Sequence, residues 1–208
     1  MFVGNNPLML IMKKTLLVVL LLTTAISFGQ ITETPNKPKS YALERSKSPN
    51  AFRVEGQDLK NLVYNAKGKA LFYTFGVWCG PCREHLPAAY KLAKDYQMPF
   101  YVVLVEDEDD LNNVNGAVSY LYEFAKDIKV LILKNNDFYG TIRRKKNKNF
   151  VKEITPPELE VIDDYSKFIL IDKSQKVLMV TTWKGYNKAD GRDVNKMIGK
   201  RLFPHLKE

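Results

Sequence analysis

Cysteine and histidine are both scarce in this chain, which has two of each among 208 residues. Small exported domains that are stabilised by several disulfides carry many more cysteines, so this chain does not belong to that class of protein. A zinc ion takes four ligands and would need every cysteine and histidine of the chain, so we expect no metal and no other cofactor. The sequence has no internal repeat. What it does have is one pair of cysteines, three positions apart, with no other thiol to pair with.

A long apolar run is also missing, because the one strongly apolar stretch lies near the N-terminus and is short. Two lysines precede an apolar core over 16–22, and the small residues Ser27 and Gly29 follow it. The run is about half of the roughly 20 residues that a membrane span needs. We therefore predict a cleaved signal peptide over 1–29, with Met12 as an alternative start, and an exported, periplasmic protein. An uncleaved membrane anchor is the alternative.

Charge is uneven along the chain, which has a net charge of +9. The basic run over 143–148 has no interleaved aromatic residues, and an exported protein does not meet nucleic acid, so we expect no nucleic-acid binding. We interpret the run as part of a solvated loop over 134–157, with an acidic partner or a membrane surface as alternatives. The acidic run over 106–110 lacks the glycine and spacing of a calcium loop, so we expect a solvated turn that begins a helix.

Short apolar runs alternate with helical patterns after a polar tether over 30–50. Strands are expected over 70–75, 100–105 and 130–133, and a hairpin over 168–172 and 177–182. Helices are expected over 57–66, from Cys79 to about Tyr96, and over 114–126 and 190–202. Strands that alternate with helices and then pair as a hairpin predict a mixed α/β sheet. We expect one domain over 51–208, present as a monomer.

The two cysteines follow a predicted strand and begin a predicted helix. Cys79 lies at the helix N-terminus, where free N–H groups and the helix dipole favour a thiolate. Gly80 and Pro81 suit the tight first turn. The spacing predicts a reversible disulfide, in which Cys79 attacks and Cys82 resolves. A purely structural disulfide is the alternative.

The segment over 78–87, Trp-Cys-Gly-Pro-Cys-Arg-Glu-His-Leu-Pro, resembles the active-site segment of thioredoxin-fold proteins. Its arginine and later proline are similar to the exported TlpA/ResA-like branch, and the run over 168–173 looks like that family's later strand and turn. The resemblance covers about residues 51–206. It implies a thioredoxin fold, an α/β architecture with a central mixed β-sheet flanked by helices. It also implies an exported thiol–disulfide oxidoreductase that reduces disulfides of other exported proteins, using a thiol–disulfide electron donor.

One departure from this family concerns the residues expected to bind substrate. The position of the family's cis-proline falls on Ser166, after Tyr165. A cis bond before a residue other than proline costs about 3–4 kcal/mol, so we expect a trans bond with Ser166 facing the disulfide. The residues expected to contact substrate are Trp78, Gly80, Pro81, Tyr165 and Ser166.

A second departure concerns proton transfer. The family buries an aspartate six residues before the first cysteine, and that position is Tyr73 here. Glu84 and His85 are near in sequence but are expected to face solvent, so proton transfer would use water or a carboxylate elsewhere. Together the departures leave a second hypothesis, a protein-binding module on a thioredoxin-like scaffold with little or no catalysis.

Overall fold

The computed structural model describes residues 42–64, 66, 68–184 and 193–207. The predicted signal peptide over 1–29 and residues 30–41 of the predicted tether lie outside the described residues. Across the described parts of the chain, no helix combines the length and apolarity that crossing a membrane requires.

A seven-stranded mixed sheet forms the centre of the fold, in the order β1-β2-β5-β4-β3-β6-β7. Its strands are β1 (Glu44–Arg45), β2 (Ala51–Val54), β3 (Ala70–Phe75), β4 (Phe100–Leu104), β5 (Lys129–Leu133), β6 (Phe168–Ile171) and β7 (Val177–Val180). The inner strands β2, β5, β4 and β3 run parallel, and β1, β6 and β7 pair antiparallel. The predicted mixed sheet is confirmed, and its apolar runs are the buried central strands, as expected for a sheet covered on both faces.

Helices cover both faces of the sheet. They are α1 (Gly56–Tyr64), α2 (Gly80–Asp95), α3 (Leu111–Phe124), α4 (Arg143–Ile154) and α5 (Val194–Arg201), followed by a 3₁₀ turn over Phe203–His205. Successive side chains of β3 point to opposite faces, so Tyr73 belongs to one core with α2, α3 and α5, whereas Phe72 belongs to the other with α1 and α4. This alternation puts Tyr73 directly beneath the helix that carries the cysteines.

The predicted loop over 134–157 is wrong, because it contains α4. Phe150, Val151 and Ile154 form the buried apolar stripe of this helix. Lys146, in the middle of the basic run, is fully buried, and its ammonium donates hydrogen bonds to backbone carbonyls at 2.8 and 3.0 Å and to an asparagine side chain at 2.5 Å. Burial lowers the pKa of Lys146 to about 8, although nearby carboxylates oppose the shift.

The acidic run over 106–110 is only partly solvated. Asp110 caps α3, its carboxylate accepting the Asn113 N–H at 3.2 Å, as a helix-entry turn requires. Glu106, however, is fully buried and forms an ion pair with Arg143, whose Nε lies 2.6 Å from Oε2. Glu108 is also buried and accepts two hydrogen bonds from an arginine. Solvation was therefore the wrong prediction for both glutamates.

Part of the predicted tether belongs to the sheet. Glu44 and Arg45 pair with β2, and the buried Ser48 donates a hydrogen bond to the side chain of Asn115 at 2.6 Å. The tether predicted over 30–50 is therefore wrong over 44–50.

Candidate active site

The two cysteines lie where β3 ends and α2 begins, and they form a disulfide with 5.2 Å between their Cα atoms. Cys79 is the N-cap of α2, and its Sγ accepts the backbone N–H of Cys82 at 3.2 Å. Cys79 is 6% exposed and Cys82 is 1% exposed. The pair is therefore asymmetric, with Cys79 closer to solvent and in contact with a helix N–H donor.

A pocket of about 500 Å³ lies beside Cys79. It is lined by Trp78, Cys79, Pro81, His85, Asp164, Tyr165 and Trp183. Trp78 is 38% exposed and meets the ring of Tyr165 edge-on, with 4.9 Å between ring centroids. The pocket therefore places apolar and aromatic surface next to the more exposed sulfur.

Of the five residues expected to bind substrate, Trp78, Pro81 and Tyr165 line this pocket, and Gly80 is exposed at the start of α2. The described residues contain no cis peptide bond, so the predicted trans bond before Ser166 is confirmed. Ser166 is fully buried with φ of 63°, a left-handed conformation that is uncommon outside glycine. Its side chain therefore lies behind the pocket surface, and the binding roles of the other four stay predictions.

His85 is only 2% exposed, so the prediction that it faces solvent is wrong. Its position three residues after Cys82 puts both side chains on the buried side of α2. Its Nδ1 lies 2.8 Å from Ser166 Oγ, and its ring stacks on Trp183 with 4.4 Å between centroids. Burial lowers the pKa of His85, and the Glu84 carboxylate opposes the shift. Glu84 itself is exposed, as predicted.

Tyr73, at the position where the thioredoxin resemblance implied a buried aspartate, is completely buried. Its hydroxyl donates to the Cys82 carbonyl at 2.8 Å and lies 2.7 Å from Ser166 Oγ. Burial raises the pKa of Tyr73, so it stays protonated at neutral pH. A continuous set of hydrogen bonds thus connects Cys82, Tyr73, Ser166 and His85.

Sequence reasoning missed a second polar group at the pocket, centred on Asp164. This carboxylate accepts hydrogen bonds from the backbone N–H of Trp183 at 2.7 Å and from the Thr182 hydroxyl at 3.0 Å, and it forms an ion pair with Lys167. Lys167 is 1% exposed and also donates to the Thr181 carbonyl at 2.9 Å. These bonds hold the segment before β6 against the chain after β7. No local sequence pattern signals them, because the partners come from separate segments.

Metal ligands do not converge within the described residues, where no three Cys, His, Asp or Glu side chains are grouped closely enough to hold an ion.

Comparison with known proteins gives partial matches, and no family model matches the chain. The thioredoxin-like protein YneN of Bacillus subtilis is 31% identical over 89 residues, which covers 42% of this chain and 52% of that protein. A mitochondrial thioredoxin domain-containing protein of Schizosaccharomyces pombe is 24% identical over 145 residues, which covers 64% of this chain and 39% of that protein. The chain thus spans about half or less of the curated relatives that it matches.

Three solved structures that are similar to this chain have TM-scores below 0.5. A thio-disulfide isomerase of Thermus thermophilus has a TM-score of 0.38 at 16% identity, covering 62% of this chain and 78% of its own. Yeast Sco1 with copper bound has a TM-score of 0.36 at 19% identity, and the match covers 70% of this chain and 81% of the Sco1 chain. Spinach chloroplast thioredoxin f has a TM-score of 0.33 at 18% identity, and the match covers 80% of this chain and 100% of the thioredoxin chain. With its central mixed sheet, flanking helices and thioredoxin-like sequence relatives, the chain has a thioredoxin-like α/β fold.

Proposed function

We propose that this protein is an exported thiol–disulfide oxidoreductase, similar to the TlpA/ResA-like branch, that reduces disulfides of other exported proteins. The observation that carries the proposal is the asymmetric Cys79–Cys82 disulfide at a helix N-terminus, beside an open apolar pocket. The names of the sequence relatives support the same class. Export rests on the predicted signal peptide over 1–29.

Cys79 is the nucleophile of the first step. In the reduced protein, the Cys82 N–H and the positive end of the α2 dipole favour the Cys79 thiolate. This thiolate attacks one sulfur of a substrate disulfide, so a Cys79–substrate bond forms and the substrate S–S bond breaks. The released substrate thiolate takes a proton from solvent. The product of this step is a mixed disulfide.

Cys82 resolves the mixed disulfide. Its sulfur loses a proton and attacks Cys79 Sγ, which forms the Cys79–Cys82 bond and releases the second substrate thiol. Two electrons have then passed from the cysteine pair to the substrate. A dithiol donor returns them by the same exchange in the opposite direction.

The pocket beside Cys79 is the proposed docking site for the substrate chain. Trp78, Pro81 and Tyr165 offer apolar surface on which residues flanking a substrate disulfide can pack. Arg143 lies over the Trp78 ring at 5.4 Å from its centroid, and this contact helps to fix the ring at the pocket edge.

A second candidate function is a protein-binding module with little catalysis. It is favoured by one observation, the trans bond and positive φ at Ser166, where the family has a cis-proline that presents its backbone to substrate. Under this hypothesis partners dock on the same pocket, but no covalent intermediate forms.

Covalent trapping separates the two functions. Cys82→Ser cannot resolve a mixed disulfide, so the variant expressed in its native envelope should accumulate adducts through Cys79 that dithiothreitol releases. Cys79→Ser is the matched control and should accumulate few. If both variants bring down the same partners without any covalent adduct, the binding module is the better account.

Export has its own test, because the two functions do not depend on it. Mass spectrometry of protein from the native envelope should show a chain that begins near Gln30. A full-length chain that only detergent extracts would instead indicate a membrane anchor.

A further inference from the structure

His85 is a buried titratable side chain at the pocket that the exchange steps above do not use. We propose that His85 is the general base of resolution: its Nε2 accepts the proton of the Cys82 thiol, and Ser166 and Tyr73 set the tautomer that makes this possible. The proposal rests on the oxidoreductase function and adds to it the residue that moves the proton.

The tautomer follows from counting protons along the hydrogen bonds. The Cys82 carbonyl can only accept a hydrogen bond, so the Tyr73 hydroxyl donates its one proton to this carbonyl at 2.8 Å. The contact of 2.7 Å between Tyr73 and Ser166 then needs the serine proton. Ser166 Oγ therefore has only a lone pair for His85, and Nδ1 must donate across their 2.8 Å contact. A neutral His85 consequently carries its proton on Nδ1 and a free lone pair on Nε2.

His85 and Cys82 both belong to the buried side of α2. His85 lies one turn after Cys82 on α2, a spacing that places the two Cβ atoms about 5–6 Å apart. It lines the same pocket as Cys79. Its Nε2 is buried and has no hydrogen-bond partner among the described residues. A buried polar atom without a partner is costly in a folded protein, and a role in proton transfer accounts for it here.

Packing holds the imidazole in this orientation. The Trp183 ring stacks on His85 at 4.4 Å with an interplanar angle of 30°, and the Trp183 Nε1–H points to the Ser166 carbonyl at 3.4 Å. The ring is thus fixed by a stacked neighbour on one face and by its Nδ1 bond.

The carboxylate at the pocket is already occupied by other groups. Asp164 accepts hydrogen bonds from Thr182 and the Trp183 N–H and pairs with Lys167.

The other titratable groups around the imidazole are also unsuited to accept this proton. Tyr73 and Tyr165 stay protonated because burial raises the pKa of each. Glu84 points to solvent, and Glu106 is paired with an arginine and does not line the pocket. Burial lowers the pKa of His85, so its imidazole is neutral at pH 7 and able to accept.

The proposed step balances in protons and electrons. Nε2 takes the proton from Cys82 as its sulfur attacks Cys79 Sγ, and the bond between Cys79 and the substrate sulfur breaks. The departing substrate thiolate takes the proton from the imidazolium, which returns His85 to its neutral form. The electron pair passes from the Cys82 sulfur to the substrate sulfur.

His85→Asn tests the base directly, because the asparagine amide replaces Nδ1 as a donor to Ser166 and nothing replaces Nε2. The reduced protein is mixed with excess oxidised glutathione, quenched with acid at set times and analysed by mass spectrometry. We expect the Cys79–glutathione adduct to form within about twofold of the wild-type rate and its resolution to slow about 100-fold, the size of general-base effects. Added imidazole should recover part of the lost rate.

The outcomes of this experiment distinguish the two proposals. Resolution at the wild-type rate in His85→Asn would overturn the role of His85 and leave the oxidoreductase function intact. A wild-type protein that exchanges no faster than Cys79→Ser would instead contradict the proposed function.

A measurement on the native chain covers the case in which His85→Asn does not fold. Ring ¹⁵N chemical shifts in the reduced protein report which imidazole nitrogen carries the proton, and His205, the other histidine, is assigned with His205→Gln. We expect the Nδ1–H tautomer at His85. Ser166→Ala should move His85 toward Nε2–H and slow resolution without slowing adduct formation. An Nε2–H tautomer in the wild type, or no change in Ser166→Ala, would overturn the proposal.

Discussion

The Tyr73 hydroxyl offers a precise test of the polar network beneath the cysteines, because Tyr73→Phe removes one oxygen atom and leaves the ring. Tyr73 is fully buried, and its hydroxyl makes two hydrogen bonds, one to the Cys82 carbonyl at 2.8 Å and one with Ser166 at 2.7 Å. No water can replace the lost oxygen without displacing packed side chains. We therefore expect the variant to fold but to be less stable.

The magnitude follows from the two bonds. Each contributes about 0.5–1.5 kcal/mol net, so the free energy of unfolding should fall by about 1–3 kcal/mol. With a urea m-value of about 2 kcal/mol/M, the unfolding midpoint should move down by about 0.5–1.5 M. Tryptophan fluorescence of the oxidised protein in urea follows the transition.

Tyr101→Phe is the matched control. Tyr101 is a buried strand tyrosine whose hydroxyl has no hydrogen-bond partner among the described residues. Its loss should change the free energy of unfolding by less than about 0.5 kcal/mol. Equal midpoints for the two variants would show that the Tyr73 hydroxyl does not hold Cys82 and Ser166.

Three further predictions concern single residues. Lys146→Met should lower the free energy of unfolding by about 1–3 kcal/mol, because two buried carbonyl groups lose their hydrogen-bond donor. Lys148→Met, at an exposed position of the same helix, is the control and should leave the free energy of unfolding nearly unchanged. Equal thermal unfolding midpoints for the two variants would contradict this prediction. Limiting iodoacetamide should label reduced Cys79 before Cys82, as peptide mapping would show, and the reverse order would exchange their roles. Urea unfolding should show stability falling below about pH 6.5. Below this pH the imidazole of residue 85 binds a proton in the unfolded chain but not in the folded protein, because burial lowers the pKa of His85 in the fold. His85→Asn should therefore weaken the dependence of the free energy of unfolding on pH. An unchanged pH dependence in this variant would contradict the prediction.

The central strands were predictable because their signal is local. The run over 100–104 is apolar without interruption and the run over 70–75 is interrupted only by Thr74, which is typical of strands buried on both faces. The position of the cysteine motif between a strand and a helix followed from the same runs.

The helix α4 was not predicted from the sequence, because charged residues dominate its segment. Lys146 counts as solvated by type, yet carbonyl groups and an asparagine from other segments bind its ammonium. Only the tertiary fold supplies those acceptors, so a pattern of residue types could not place this lysine in the interior.

The environment of His85 was unpredictable for a similar reason. Its partner Ser166 lies 81 positions away, and both lie next to each other only because β6 pairs with β3. A local signal did exist, since His85 follows buried Cys82 by three positions and precedes buried Ala89 by four. Helical spacing thus indicated a buried histidine, whereas residue type favoured an exposed one.

Reduction of insulin in the presence of dithiothreitol shows whether Cys79 and Cys82 carry out thiol–disulfide exchange. Turbidity from the freed insulin B chain gives the rate, and Cys79→Ser is the control for the uncatalysed background. We expect the wild-type protein to reduce insulin well above this background. A wild-type rate equal to that of Cys79→Ser would contradict this expectation.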